Sequence, residues 1–298
     1  MNPELASSYR SAEAVARTRA RNFYYSLIVL PPERRRALCA VYAFMRHCDD
    51  ISDGAAESEV KRTMLRGWRT QLDRALSGQF DGISILPAFY DSVRRFSIPV
   101  EYFYWVIDGA EMDLSIYSYK TFDDLYRYCF NVASSVGLVC LQVFGFSERQ
   151  AKEYAEQCGI AFQLTNILRD IKEDAQMGRI YLPAEDLERF GYTAEDLRKG
   201  VINERFRALM IFETKRALEY YARARLLLPL VDEVSRPSLW AMMEIYGRIL
   251  NKIVRQQYDI FGKRIRLSDT EKCAVALRAM AMRYFPGIVP HSSALIPL

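Results

Sequence analysis

The sequence predicts an all-α protein, a single domain whose helices surround a central cavity. Apolar residues recur at three- and four-residue spacing through nearly the whole chain, as helices burying one face require. Period-two alternation never lasts long enough to mark a half-buried strand. The 298 residues also include only 14 Gly and 11 Pro, too few for the tight turns of a many-stranded barrel or sandwich.

Pro31-Pro32 followed by Glu33 opens a long helix, with proline in its tolerated first turn and an acid at the positive dipole end. This helix is predicted to run to about residue 51. Further helices are expected over about 57–76, 84–96 and 100–116. Thr121-Phe122-Asp123-Asp124 starts the next with a capping-box pattern, Asp replacing Glu, and this helix reaches about 144. Ser147-Glu148-Arg149-Gln150 is a full box, and its helix ends before Gly178 and Pro183. Long helices follow over about 202–232 and 237–262, with a last one near 269–283. No repeat, low-complexity tract or composition shift divides the chain. Residues 1–298 are therefore expected to form one domain, with an apolar, proline-broken tail over about 285–298.

The formal net charge of +4 is mild, and nucleic acid is not an expected partner. Lys61, Arg62, Arg66, Arg69 and Arg74 follow mostly helical spacing and read as a solvated face, while Arg34-Arg35-Arg36 forms a second basic cluster. Such a face resting on an anionic membrane is the rival reading. The six cysteines lack CxxC spacing and lie mostly in apolar helical pattern, so they read as reduced and buried. His47 and His291, the only histidines, are too few for a three-histidine zinc site. No signal core follows Met1, and no unbroken apolar run reaches membrane-spanning length. The expected location is cytoplasmic, with peripheral contact at the inner membrane as a variant.

Chemistry concentrates in two acidic clusters, Asp49-Asp50-Ile51-Ser52-Asp53 and Asn166-Ile167-Leu168-Arg169-Asp170-Ile171-Lys172-Glu173-Asp174. Asp49 and Asp53 are four apart, and Asn166, Asp170 and Asp174 step by four, so each set lines one helical face. Like charges at that spacing repel, so a cation shared with a polyphosphate is the functional reading. Mg²⁺ would bridge the carboxylates to a diphosphate while Arg46, Arg169, Lys172 or Arg179 donates to the remaining oxygens. The bland alternative is charge balancing within each helix. Aromatic residues are abundant, with 19 Tyr, 16 Phe and 3 Trp. Phe23, Tyr24, Tyr25 and Tyr42 lie near the first acidic face, and Tyr102, Phe103, Tyr104, Trp105, Tyr117, Tyr119, Tyr126 and Tyr128 crowd the middle of the chain. Most belong to the core, and a subset could line an apolar tunnel that stabilises carbocations. Gly137, in Val132-Ala133-Ser134-Ser135-Val136-Gly137, is either a tunnel wall or a close helix contact.

Together, Arg46-xx-Asp49-Asp50-xx-Asp53, Tyr128-xxx-Val132-Ala133-xx-Val136-Gly137 and Gln163-xx-Asn166-xx-Arg169-Asp170-xxx-Asp174, with Arg179-Ile180-Tyr181-Leu182-Pro183, resemble the squalene/phytoene synthase family. The resemblance extends over about residues 8–285. Asn22-Phe23-Tyr24-Tyr25-Ser26 through Leu30-Pro31 looks most like the bacterial branch that makes presqualene diphosphate. The resemblance implies the isoprenoid synthase fold, with both Asp-rich helices flanking the cavity. It implies Mg²⁺, or Mn²⁺, on Asp49, Asp53, Asn166, Asp170 and Asp174, and diphosphate handled by Arg46, Gln163, Arg169 and Arg179. Tyr42 and Tyr128 match tyrosines that bind diphosphate or assist proton movement. Phe23, Tyr24, Val132, Ala133, Val136, Gly137 and Leu164 would line the cavity.

The activity so implied is prenyl transfer: head-to-head condensation of two farnesyl diphosphates to presqualene diphosphate, with onward conversion to squalene, which needs NADPH, as a further step. Two geranylgeranyl diphosphates giving phytoene is the alternative. A non-catalytic relative acting as an assembly factor and a terpene cyclase or head-to-tail elongase are the rivals. Enzymes of the downstream triterpene pathway are the expected protein partners.

Overall fold

The chain is described here by a computed structural model covering residues 2–284. No strand occurs among these residues, whose β-like pairing consists of two isolated bridges, Ser118 with Ile180 and Phe146 with Val231. Two helices that the periodicity did not reveal come first, α1 (Pro3–Arg19) and α2 (Arg21–Leu27). The Asn2 side chain caps α1 by accepting from the Leu5 N–H. Then come α3 (Pro32–Ser52), α4 (Ser58–Leu76), α5 (Leu86–Arg95) and α6 (Glu101–Met112). The last of these stops short of the expected 116, because Asp113 caps it and the chain turns through Ser115.

The capping box at Thr121 forms as expected and starts α7 (Phe122–Cys129). The helix continues through a π-helical segment, Phe130–Ser134, into α8 (Ser135–Phe144). The expected box at Ser147 does not form. The Ser147 hydroxyl and N–H both go to the Leu230 carbonyl, and α9 (Ala151–Gln176) starts without a side-chain cap. Two short helices, α10 (Ala184–Arg189) and α11 (Ala194–Lys199), lead to α12 (Glu204–Ala224). A 3₁₀ turn over Arg225–Leu230, where Pro229 cannot continue an α-helix, replaces the expected end of that helix. The chain closes with α13 (Arg236–Arg255) and α14 (Asp269–Tyr284). The expected continuation of α13 to 262 is cut by left-handed backbone at Gln257 and Tyr258. The apolar tail over 285–298 and His291 lie outside the described residues.

Packing centres on α9, which lies against α12, α8, α13 and the π segment. One apolar cluster gathers α3, α4, α5, α6 and α8; the other gathers α9, α12 and α13. The segment Phe122–Phe144 is long and apolar enough to cross a membrane by length and composition, yet it contains Asp123, Asp124 and Arg127, and more than half of its most apolar stretch is buried in the fold. The cysteines are all free; Cys39, Cys48, Cys129, Cys140 and Cys158 are buried, whereas Cys273 is exposed.

Candidate active site

α3 and α9 each bring part of their cluster, Asp49 and Asn166, to the wall of one cleft, while Asp53, Asp170 and Asp174 do not line it and Asp174 lies in a crevice with Arg179 and Tyr181. The cleft, about 1150 Å³, is lined by Tyr42, Arg46 and Asp49 from α3, Asn166 and Arg169 from α9, and Tyr24 and Phe23 from α2. Behind it lies an apolar chamber of about 160 Å³ whose walls include Val132, Ala133, Val136, Gly137 and Gln163. Phe23, Asn166 and Tyr246 border both spaces and form the neck between them. The Phe162 and Tyr246 rings stack at the neck with centroids 4.3 Å apart, and Phe23 stacks on Tyr42 at 5.8 Å. Gly137 satisfies both of its readings: it lines the chamber, and a Cβ there would stand 2.9 Å from the Ala155 carbonyl oxygen. Leu164 is a correction, because it packs in the core around α9 and lines neither space.

The carboxylates of the clusters play different parts. Asp49 is open to the cleft, with 55% of its side chain exposed, yet protein surrounds it on most sides. Desolvation in that concave setting, reinforced by Asp53 and Asp113 against the lowering effect of Arg46, pushes its carboxyl up to about 7. Asp174 is likewise raised to about 7 by burial and by Asp170, against Arg179. Asp50 turns elsewhere. Its Oδ1 accepts from Arg46 at 2.6 Å and from Arg19 at 2.7 Å, and although burial works the other way, these partners hold its carboxyl below the usual range. Asp170 is held by its neighbour Arg169 and, at 2.8 Å, by Arg264. Arg179 reaches Asp53 at 4.0 Å. Lys172 leaves the site and donates to the Phe261 and Gly262 carbonyls.

Among the described residues no group of three or more carboxylate, thiol or imidazole side chains stands close enough to hold a metal ion unaided. The donor set still fits Mg²⁺ of the kind shared with a substrate diphosphate, which needs only one or two protein carboxylates plus phosphate and water oxygens. Beyond the effect of burial, Asp49 and Asp174 are each raised by acids of their own cluster and both by Asp113, which marks a site short of positive charge.

Several site residues escaped the sequence reading. Tyr246 lies in α13, and Arg17, Arg19, Arg264, Arg266 and Lys272 build a basic wall from α1, the loop before α14, and α14 itself. Asp113 accepts from the Tyr181 hydroxyl at 2.8 Å and the Tyr128 hydroxyl at 3.3 Å. Tyr128 itself is buried among Tyr119, Tyr181 and Asp113 rather than on the cleft wall. Tyr181 was within the quoted Arg179–Pro183 stretch; a lone Asp113 offered no spacing to detect.

Comparison with known proteins agrees with this geometry. A family model described as squalene/phytoene synthase matches residues 16–271. The phytoene synthase of Mycobacterium tuberculosis (strain ATCC 25618 / H37Rv) is 40% identical over 281 residues, 93% of this chain and 92% of that protein. Among solved structures, a dehydrosqualene synthase in complex with ligand superposes with a TM-score of 0.85 at 30% identity, over 96% of this chain and 99% of the other. The squalene synthase HpnC from Alicyclobacillus acidocaldarius superposes at 0.80 with 28% identity, over 87% and 97%.

Proposed function

The chain belongs to the squalene/phytoene synthase family, prenyltransferases that join prenyl diphosphates head to head, and on that premise we propose that it condenses two farnesyl diphosphates to presqualene diphosphate. One observation carries the reading: Asp49, Asn166 and a basic wall line a polar cleft that narrows into an apolar chamber. The C15 substrate is supported by the Asn22–Pro31 stretch and by the superposition on a dehydrosqualene synthase. A second reading, geranylgeranyl diphosphate giving phytoene, is favoured by the 40% identity to a protein named phytoene synthase.

In this reading Arg46, Gln163, Arg169 and Arg179 orient the diphosphates, and the basic wall accepts the second one. Mg²⁺, with Mn²⁺ as substitute, would be held by Asp49, Asp53, Asn166, Asp170 and Asp174 and when bound supplies Lewis-acid neutralisation of diphosphate charge. Departure of one diphosphate leaves an allylic cation. The stacked faces of Phe162 and Tyr246 stabilise it through the ring quadrupole, and the apolar chamber keeps water away. The alkene of the second chain attacks, and proton loss closes the cyclopropane. NADPH enters only if a second half-reaction ends in hydride addition. Peripheral membrane contact and hand-over to downstream triterpene enzymes complete the proposal, since a C30 product is poorly soluble.

The test is incubation of the purified protein with Mg²⁺ and either farnesyl or geranylgeranyl diphosphate, with and without NADPH, followed by mass spectrometry before and after phosphatase treatment. A C30 diphosphate formed regardless of NADPH is the expected result. Preferential consumption of the C20 substrate would move the assignment to phytoene synthesis. If neither substrate were consumed, the catalytic reading would fall and the assembly-factor reading would replace it.

A further inference from the structure

We propose that Asp113 is a positioning residue of this active site, one that fixes the hydroxyls of Tyr128 and Tyr181 beside Asp174, Arg179 and its partner Asp53; the role in turnover rests on the condensation reading above. Asp113 caps α6, with its N–H bonded to the Gly109 carbonyl at 3.3 Å. Its two carboxylate oxygens take different tyrosines, Oδ1 from Tyr181 at 2.8 Å and Oδ2 from Tyr128 at 3.3 Å. Its carbonyl oxygen takes Arg179 Nη2 at 3.1 Å, the arginine that also reaches Asp53. One residue thus ties α6 to α7 and to the chain leaving α9.

The tyrosines form a compact stack. Tyr128 and Tyr181 lie 5.0 Å apart at 25°, and Tyr119 packs on them at 5.5 and 6.0 Å. Hydrogen bonds from Ile180 N to the Tyr117 carbonyl (2.8 Å) and from Ala184 N to the Tyr119 carbonyl (2.9 Å) lock the segment bearing Tyr119 to the one bearing Tyr181. Tyr181 in turn lines a crevice with Asp174 and Arg179, which connects the stack to the second acidic face.

A packing role alone explains this poorly. Satisfying two buried hydroxyls needs only a neutral acceptor, whereas a carboxylate here adds charge beside two acidic faces, where it disfavours the ionised forms of Asp49 and Asp174. A fixed anionic acceptor does what an amide would do less well: it takes the Tyr181 proton on Oδ1 and draws the Tyr128 proton, which also faces the Tyr181 oxygen at 3.3 Å, toward Oδ2, leaving the two hydroxyls in a defined orientation. Misplacing such groups by a fraction of an ångström is costly to a reaction that depends on alignment.

The test uses Asp113→Asn, Tyr181→Phe, Tyr128→Phe and the Asp113→Asn/Tyr128→Phe double variant of the full chain, labelled with 3-fluorotyrosine. In ¹⁹F spectra, the Tyr128 and Tyr181 resonances, assigned from the Phe variants, should shift in Asp113→Asn while those of remote tyrosines stay. With farnesyl diphosphate and Mg²⁺, kcat should fall on the order of 10- to 100-fold while KM changes by less than about threefold. Adding Asp113→Asn to Tyr128→Phe should cost less than the product of the two single losses, because part of the Asp113 effect acts through Tyr128 and the rest through Tyr181. Unshifted resonances, or fully additive kinetic losses, would overturn the proposal. If Asp113→Asn fails to fold, Tyr181→Phe keeps the acceptor and tests the same network, with a shifted Tyr128 resonance expected. A wild-type protein that consumes neither prenyl diphosphate sinks the functional reading, and the resonance test then decides the Asp113 contacts on its own.

Discussion

Asp49 and Asp174 carry a pH signature that follows from their surroundings. Each carboxyl is raised by burial and neighbouring acids to about 7 from an ordinary value near 4. Between those values the folded chain binds more protons than the unfolded chain, so stability must fall as pH rises through about 4 to 7. In metal-free buffer the melting temperature should therefore decline across that window, and Mg²⁺ with a diphosphate analogue should restore it more at pH 8 than at pH 5. Asp49→Asn should flatten the decline, keep the fold and abolish turnover; calorimetry and product analysis check both halves, and retained turnover would refute its role as a metal ligand. Asp50 predicts a different phenotype. Losing its clamp on Arg46 and Arg19 should raise KM for the prenyl diphosphate several-fold with a smaller effect on kcat, because in the proposed reading these arginines would bind substrate in ground and transition state alike. Steady-state kinetics of Asp50→Asn would show it. Four-residue spacing made Asp49, Asp53, Asn166, Asp170 and Asp174 legible in the sequence. It could not say that Asp50 points to arginines, or that Asp113, alone at a helix end, belongs with them.

At the scale of elements, the wall of the chamber depends on how closely α8 approaches α9. A Cβ on Gly137 would press on the Ala155 backbone oxygen at 2.9 Å, and backbone cannot step aside as a side-chain tip can. Gly137→Val should thus cost about 1–3 kcal/mol of stability, the usual scale of overpacking, and should narrow the chamber. Urea unfolding together with activity would measure it; an unchanged midpoint would mean the helices can separate freely. The helical periods were readable because each helix buries one face. Its interruptions were not. The π segment at Phe130–Ser134 lies inside an unbroken apolar pattern, and the Ser147 box failed because a distant carbonyl, that of Leu230, captured the hydroxyl. Local sequence cannot announce a competitor 83 positions away.

For the whole molecule, the decisive feature is that a charged cleft and an apolar chamber meet at one aromatic neck. Helices far apart in sequence build the chamber: α8, α9, the 3₁₀ turn and α13 contribute Phe144, Phe162, Leu227 and Met242. That dispersal explains why the fold was legible from the chain while the substrate's length was not, since depth depends on packing between elements rather than on any motif. It also suggests where length control resides. Phe144 is almost fully buried, and its ring closes part of the chamber, so Phe144→Ala should enlarge the space at a cost of about 3–5 kcal/mol. If that ring limits how far a prenyl chain can enter, the ratio of kcat/KM for geranylgeranyl over farnesyl diphosphate should rise at least several-fold in Phe144→Ala. Absolute activity should fall with the lost packing, so the ratio is the informative quantity. Competition between the two substrates, read by mass spectrometry of C30 against C40 products, measures it directly. A ratio unchanged from wild type would move chain-length control from this wall to the neck formed by Phe23, Asn166 and Tyr246.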